Sequence, residues 1–303
     1  MRRALLLALL LAVAPALASV ATAQPVRVGS KPDTEGALLG NVILKLLDAH
    51  HIPTQDRVGL GPTKIIRAAL LAGQVDIYPE YTGNGAFFFG QESDPAWRDP
   101  QAGYERVRAL DAPGGIVWLR AAPADNTWAI AVREDFAAAN HLASMVDLAR
   151  ATNAGAEVKL AASAEFVESP AALPAFQRTY GFTLHGPQLL VLAGGNTAVT
   201  LRAAAEGTSG VNCAMAYGTD GALAALKLVV LTDPQHAQLV FAPAPVVRKA
   251  VLDAHPDLPA ILDPAFAALD APTLRTLNAR IAVDGEDAGQ VAADFLRKKG
   301  LLK

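Results

Sequence analysis

The strongest constraint on this chain is an alternation that occurs twice. Short apolar runs of strand character trade places with stripes of helical period. The first series opens with Val26-Arg27-Val28, followed by Gly29-Ser30-Lys31. A helix from about Thr34 then carries Leu38, Leu39, Val42, Leu46 and Leu47 on one face. Gly61-Pro62-Thr63 opens a second helix, with Pro62 at its first position and Gly73 as its stop. The second series starts with a strand at 125–132 and a strand at 159–161. It continues with a helix at 170–180 capped by Ser169, a strand at 189–192, a helix at about 198–206 and a strand at 211–217. Beyond Pro243 and Pro245 the remainder is helical, with Ala288, Val291, Ala292, Phe295 and Leu296 in one stripe. Strands separated by helical crossovers predict an α/β fold. No flexible linker joins the two series. A chain that crosses from one lobe to another and returns has this layout, and the cleft between lobes is a natural small-ligand site.

The first residues read as a targeting segment. Arg2 and Arg3 precede an apolar run from Ala4 to Ala18, and Ala21-Thr22-Ala23 is a small-x-small cleavage site. The run is too short and wrongly flanked for a good membrane span. No cysteine follows the cleavage site to carry a lipid anchor. The expectation is a signal peptide over 1–23 and a soluble exported protein, periplasmic in a cell with two membranes. Its removal leaves 24 basic and 29 acidic side chains, a formal charge of −5. That balance argues against nucleic acid and anionic membranes as partners. Cys213 is the single cysteine, so no internal disulfide forms, and its apolar setting reads as burial.

Signatures of catalysis are absent. There is no G-x-G-x-x-G after the first strand, no Walker loop and no G-x-S-x-G elbow. His50 and His51 are adjacent at a helix end and do not face each other, so no metal is expected. Glu80 has no second carboxylate or histidine beside it, so an enzyme is poorly supported and no cofactor is expected. A periplasmic hydrolase using Glu80 and a water is the remote alternative.

The pivotal stretch is Asp76-Ile77-Tyr78-Pro79-Glu80-Tyr81-Thr82-Gly83-Asn84-Gly85. A strand from Val75 to Tyr78 is expected to stop at Pro79, which has no N–H for a ladder. Gly83 and Gly85 bracket a turn that can take positive φ. Tyrosines and a carboxylate thus arrive at a strand end, where open α/β sheets place ligands. Tyr81, Trp128, Tyr217 and Phe241 each sit at a strand end or beside a proline turn. Singly, each reads as core packing. Together they suggest an aromatic box. A quaternary ammonium ion has no N–H to donate, but ring faces attract it at roughly 0.5–2 kcal/mol per ring.

The chain resembles the substrate-binding proteins of ABC importers for glycine betaine, choline and related osmoprotectants. The resemblance covers essentially the whole mature chain. It rests on Gly29-Ser30-Lys31 with Thr34-Glu35, Gly59-Leu60-Gly61, Asp76 to Gly83 and Asn126-Thr127-Trp128-Ala129. Tyr180-Gly181-Phe182, Thr219-Asp220-Gly221 and Ala244-Pro245-Val246-Val247-Arg248 complete it. It implies a two-lobed periplasmic binding protein of type II character, with the lobes joined by a two-strand hinge. One lobe would hold 24–125 and 232–303, the other 126–231. The family's tyrosine cage maps onto Tyr81, Trp128, Tyr217 and Phe241, with Trp and Phe standing where Tyr is usual. The family's carboxylate contacts map onto Lys31, onto Asn84 in place of a threonine, and onto Ser169 in place of an arginine. Loss of that arginine removes a charge-assisted bond contributing about 1.5–3 kcal/mol. Ser169, as cap of the helix opened by Pro170, would still offer N–H groups to an anion. Lys31 argues against a bare choline-like cation, since like charges would meet. The implied partners are a quaternary ammonium ligand and a membrane permease with a cytoplasmic ATPase, with monomer as the default state. A different zwitterion, an amino acid or a polyol in the same fold is the alternative.

Overall fold

A computed structural model describes residues 24–192 and 197–303. The signal-peptide expectation lies outside the described residues. The strands are β1 (Val26–Gly29), β2 (Thr54–Arg57), β3 (Ile77–Tyr81), β4 (Ile116–Trp118) and β5 (Trp128–Arg133). They continue as β6 (Leu160–Ser163), β7 (Leu189–Leu192), β8 (Cys213–Tyr217), β9 (Leu228–Val230) and β10 (Pro243–Arg248). One sheet has the order β2-β1-β3-β10-β4 and the other β7-β6-β8-β5-β9. Each is parallel on one side and antiparallel on the other, because β10 runs against β3 and β4, and β5 against β8 and β9.

Side-chain alternation along the strands builds a core on both faces of each sheet. In the first sheet, Ile77 and Val247 face the helices Thr34–Ala49, Leu258–Ala267, Ala271–Ala282 and Ala288–Lys298. Tyr78 and Val246 face the other way, onto Ile66, Trp97 and Trp118. In the second sheet, Ile130, Val132, Leu160 and Met215 pack on Leu148, Phe166 and Phe176. Its opposite face is lined by Ala131, Ala161, Ala214 and Ala216. Those small side chains let the helix Thr197–Glu206 lie close, with Leu201 and Ala204 buried against them.

Pro79 does not end its strand. β3 runs through it to Tyr81, and Pro79 lies opposite Pro245 in the antiparallel ladder with β10. The Pro245 carbonyl turns away from β3 to accept from Leu119 N at 2.9 Å. The two prolines therefore form a pair whose missing N–H groups point away from each other. On its other side β3 pairs with β1 only at Ile77, so no ladder donor is lost. Gly83 and Gly85 also serve differently from expectation. Gly83 has φ −62° and neither glycine is in the positive-φ region. What they supply is space: a Cβ on Gly83 would lie 2.7 Å from Val240 O, and one on Gly85 2.6 Å from Val107 Cγ2. Pro62 precedes the helix Thr63–Leu71 by one residue rather than opening it. The helix expected at 170–180 begins only at Leu173 and runs to Tyr180 with Ala172 at its cap, while Ser169 closes a separate short helix, Ala164–Glu168.

The chain crosses between the sheets at 125–127 and returns at 239–241. These segments run side by side. Asn126 N donates to Phe241 O at 3.0 Å, Phe241 N to Asp125 Oδ1 at 2.7 Å, and Thr127 Oγ1 to Leu239 O at 2.7 Å. The returning chain keeps contact with the second core through Ala237 and joins the first at Leu239.

Candidate functional site

A cavity of about 840 Å³ opens between the two sheets. Six of the seven residues singled out from sequence line it: Lys31, Tyr81, Asn84, Trp128, Tyr217 and Phe241. Their placement follows from strand register. Tyr81 is the last residue of β3. Trp128 is the first of β5 and lies directly opposite Tyr217, the last of β8. Opposed residues of an antiparallel pair project to one face, so both rings emerge at the same end of the second sheet. Trp128 is braced edge-on by Phe166, with centroids 6.0 Å apart and planes at 88°. Among the described residues, its buried indole N–H has no hydrogen-bond acceptor. Phe241 is delivered by the return segment and held there through its N–H on Asp125.

Lys31 and Asn84 reach the wall but turn their polar ends onto Glu80. Lys31 Nζ is 2.9 Å from Glu80 Oε1 and 4.2 Å from the centroid of the Tyr81 ring. Asn84 Nδ2 donates to Glu80 Oε1 at 2.7 Å. Glu80 is fully buried and also accepts from Tyr78 OH and Tyr81 N, each at 2.8 Å. Ser169 is the exception among the seven. It is not on the cavity wall; it closes the short helix Ala164–Glu168, donating its N–H to Glu165 O at 2.8 Å. The helix end it was expected to offer to an anion is therefore elsewhere.

The wall is rich in carboxyl groups. Glu35 is buried at its base, where it accepts from Tyr81 OH at 2.8 Å, Asn278 Nδ2 at 2.8 Å and Asn126 Nδ2 at 3.2 Å. Burial pushes its pKa up against the pull of these donors. Asp220 is pushed up to about 6 by burial, while Tyr217 N and Thr197 Oγ1 donate to it. Asp33 and Glu165 also line the cavity, and Lys31 is the only lysine or arginine among the described lining residues. Sequence reasoning did not single out these acids as site residues. Glu35, Asn126 and Asp220 stand inside strings that carried the resemblance; Asn278, on a C-terminal helix, left no signal.

The two halves touch at one side of the cavity. Asn278 Nδ2 donates to Thr219 O at 2.9 Å and Arg275 Nε to Gly218 O at 2.7 Å. Gly221 lies so close to the helix Ala271–Ala282 that a Cβ would fall 2.3 Å from Ala279 N. Chemically, the cavity offers ring faces and negative charge, the features that attract a cation lacking N–H groups.

The comparisons with known proteins agree with one another. Residues 24–298 match the model of the substrate-binding domain of ABC-type glycine betaine transport systems. The chain is 58% identical over 282 residues to the glycine betaine-binding protein YehZ of Escherichia coli, covering 93% of this chain and 92% of that one. It is 33% identical over 291 residues to a glycine-betaine-binding protein of Pseudomonas aeruginosa, covering 94% and 91%. The solved structure of apo YehZ from Escherichia coli superposes with a TM-score of 0.86 over 92% of this chain and 100% of that chain, at 58% identity. Two sheets, each wrapped by helices around one cleft, are thus the two-lobed architecture of that relative. The chain belongs to the family of substrate-binding domains of ABC-type glycine betaine transport systems.

Proposed function

We propose that this protein captures a quaternary ammonium compatible solute in the periplasm, within a cage of Trp128, Tyr217, Phe241 and Tyr81. It hands the solute to a membrane permease driven by a cytoplasmic ATPase, acts as a monomer, and makes or breaks no bond. The observation that carries the reading is convergence. Four rings from β3, β5, β8 and the return segment border one cavity. Side chains that far apart in sequence meet at a shared hollow for a reason, and ring faces suit a permanent positive charge. Withdrawal of water as the lobes close strengthens each contact. Lys31 and Asn84 have a smaller claim on a ligand carboxylate, because Glu80 already engages both. Calorimetric titration with glycine betaine, choline, carnitine and proline betaine tests the proposal. Binding of at least one is expected; a folded protein that binds none of them refutes the cage. A different small zwitterion, an amino acid or a polyol draws support from the missing cation at Ser169, and a ligand retained through native purification would identify it.

A further inference from the structure

We propose that the amide oxygens of Asn126 and Asn278 form a donor-reading subsite beside the cage, so that the ligand taken best is a quaternary ammonium compound carrying a hydroxyl group. This deepens the cage proposed above and rests on it. The observation behind it is a cluster of unmet hydrogen-bonding atoms. Among the described residues, three buried side-chain polar atoms have no partner: Asn126 Oδ1, Asn278 Oδ1 and Trp128 Nε1. All three belong to residues on the wall of the same cavity. Buried polar atoms left unpaired are uncommon and costly, so their gathering at one hollow points to a ligand group that completes them.

The neighbours fix how the amides lie. Asn278 is only 4% exposed, and its Nδ2 donates to Glu35 Oε2 at 2.8 Å and to Thr219 O at 2.9 Å. A backbone carbonyl only accepts, so the amide cannot be turned round, and Oδ1 is the atom left over. Asn126 Nδ2 donates to Glu35 Oε1 at 3.2 Å, the same oxygen that takes the Tyr81 hydroxyl at 2.8 Å. One carboxylate thus aligns both amides and a ring of the cage, which sets the subsite next to the cation. Elsewhere the wall is rich in acceptors. Asp33, Glu165 and Asp220 line it, and the Lys31 ammonium and the Asn84 amide N–H are engaged by Glu80. A ligand carboxylate would add acceptors to acceptors. A hydroxyl brings the donor that the amide oxygens lack, and its lone pairs suit a donor such as the Trp128 indole N–H.

The test is calorimetric titration with choline and with propyltrimethylammonium, in which a methyl group replaces the hydroxyl at nearly the same size. Apolar burial alone favours the propyl compound. The native protein should nevertheless bind choline about tenfold tighter. Asn126→Leu combined with Asn278→Leu should bring that ratio to about one or reverse it. A weakened contact between the lobes would lower both affinities together and leave their ratio unchanged, so the ratio separates recognition from closure. A native ratio at or below one, or a ratio that survives in the variant, overturns the proposal while leaving the cage intact. If the folded native protein binds neither compound, the cage itself has failed and the subsite with it. Thermal unfolding accompanies each titration. Should the double variant not fold, or bind too weakly to read, Asn126→Leu alone should cut the ratio about threefold, and an unchanged ratio there overturns the claim.

Discussion

Gly221→Ala tests whether contact between the lobes is part of ligand capture. Gly221 has φ −67°, a conformation alanine accepts, so the substitution adds no backbone strain. Its effect comes from across the cleft. The new Cβ would lie 2.3 Å from Ala279 N and 2.4 Å from Asn278 C, both backbone atoms of a long helix. Ordinary contact requires the two backbones to part by roughly 1 Å. That displacement breaks the bonds from Asn278 Nδ2 to Thr219 O, 2.9 Å, and from Arg275 Nε to Gly218 O, 2.7 Å. A neutral bond contributes about 0.5–1.5 kcal/mol and one from a guanidinium about 1.5–3 kcal/mol. The arrangement with lobes in contact thus loses about 2–4 kcal/mol. Apparent affinity scales with the population of the binding-competent state, so the dissociation constant for the best ligand should rise at least about tenfold. Calorimetry gives the affinity, and small-angle scattering with and without ligand gives the opening. The bonds lost are polar ones between the two halves, and no core side chain is replaced, so cooperative unfolding of the variant should persist. An unchanged dissociation constant together with unchanged scattering would refute the reasoning.

Two further outcomes follow from the site. Trp128→Ala should weaken a quaternary ammonium ligand by about 1–2 kcal/mol, roughly five- to thirtyfold, and Trp128→Phe by less, since it keeps a ring face. Equal dissociation constants for all three proteins would remove Trp128 from the cage. Asp125, whose carboxylate holds Phe241 N, is pushed up to about 6 by burial, above its unfolded value. A raised carboxyl costs stability above its folded pKa, and that cost fades as pH falls from about 6 toward 4. The unfolding free energy of the native protein relative to Asp125→Asn should therefore rise by about 1 kcal/mol between pH 7 and pH 5, measured by urea titration. A difference that is flat or falls over that range contradicts the assignment.

The fold was legible in the sequence where periodicity was strong. Val26 to Val28 and the stripe from Leu38 to Leu47 became β1 and the helix Thr34–Ala49, as their spacing requires. β2 was not, because Thr54-Gln55-Asp56-Arg57 is a polar edge strand held by backbone pairing to β1. Pro79 misled because strand rules concern hydrogen-bond ladders, and only the register against Pro245 reveals that its missing donor faces no partner. The four rings were found through strand ends, whose positions are local. Glu35 and Asn278 were not, because their bond at 2.8 Å joins residues 243 apart in sequence. Ser169 failed for the opposite reason. The helix expected after it begins only at Leu173, and Ser169 closes the preceding one, so the cap rule was applied to the wrong residue.

The proposed cage selects its ligand by a permanent positive charge more than by shape. Parallel titrations with glycine betaine and tert-butylacetate, in which a quaternary carbon replaces the quaternary nitrogen at nearly identical size, separate charge from shape. Glycine betaine should bind at least about tenfold tighter than its carbon analogue. Equal affinity for the two would mean that the rings supply only an apolar surface, and would contradict a cage for cations.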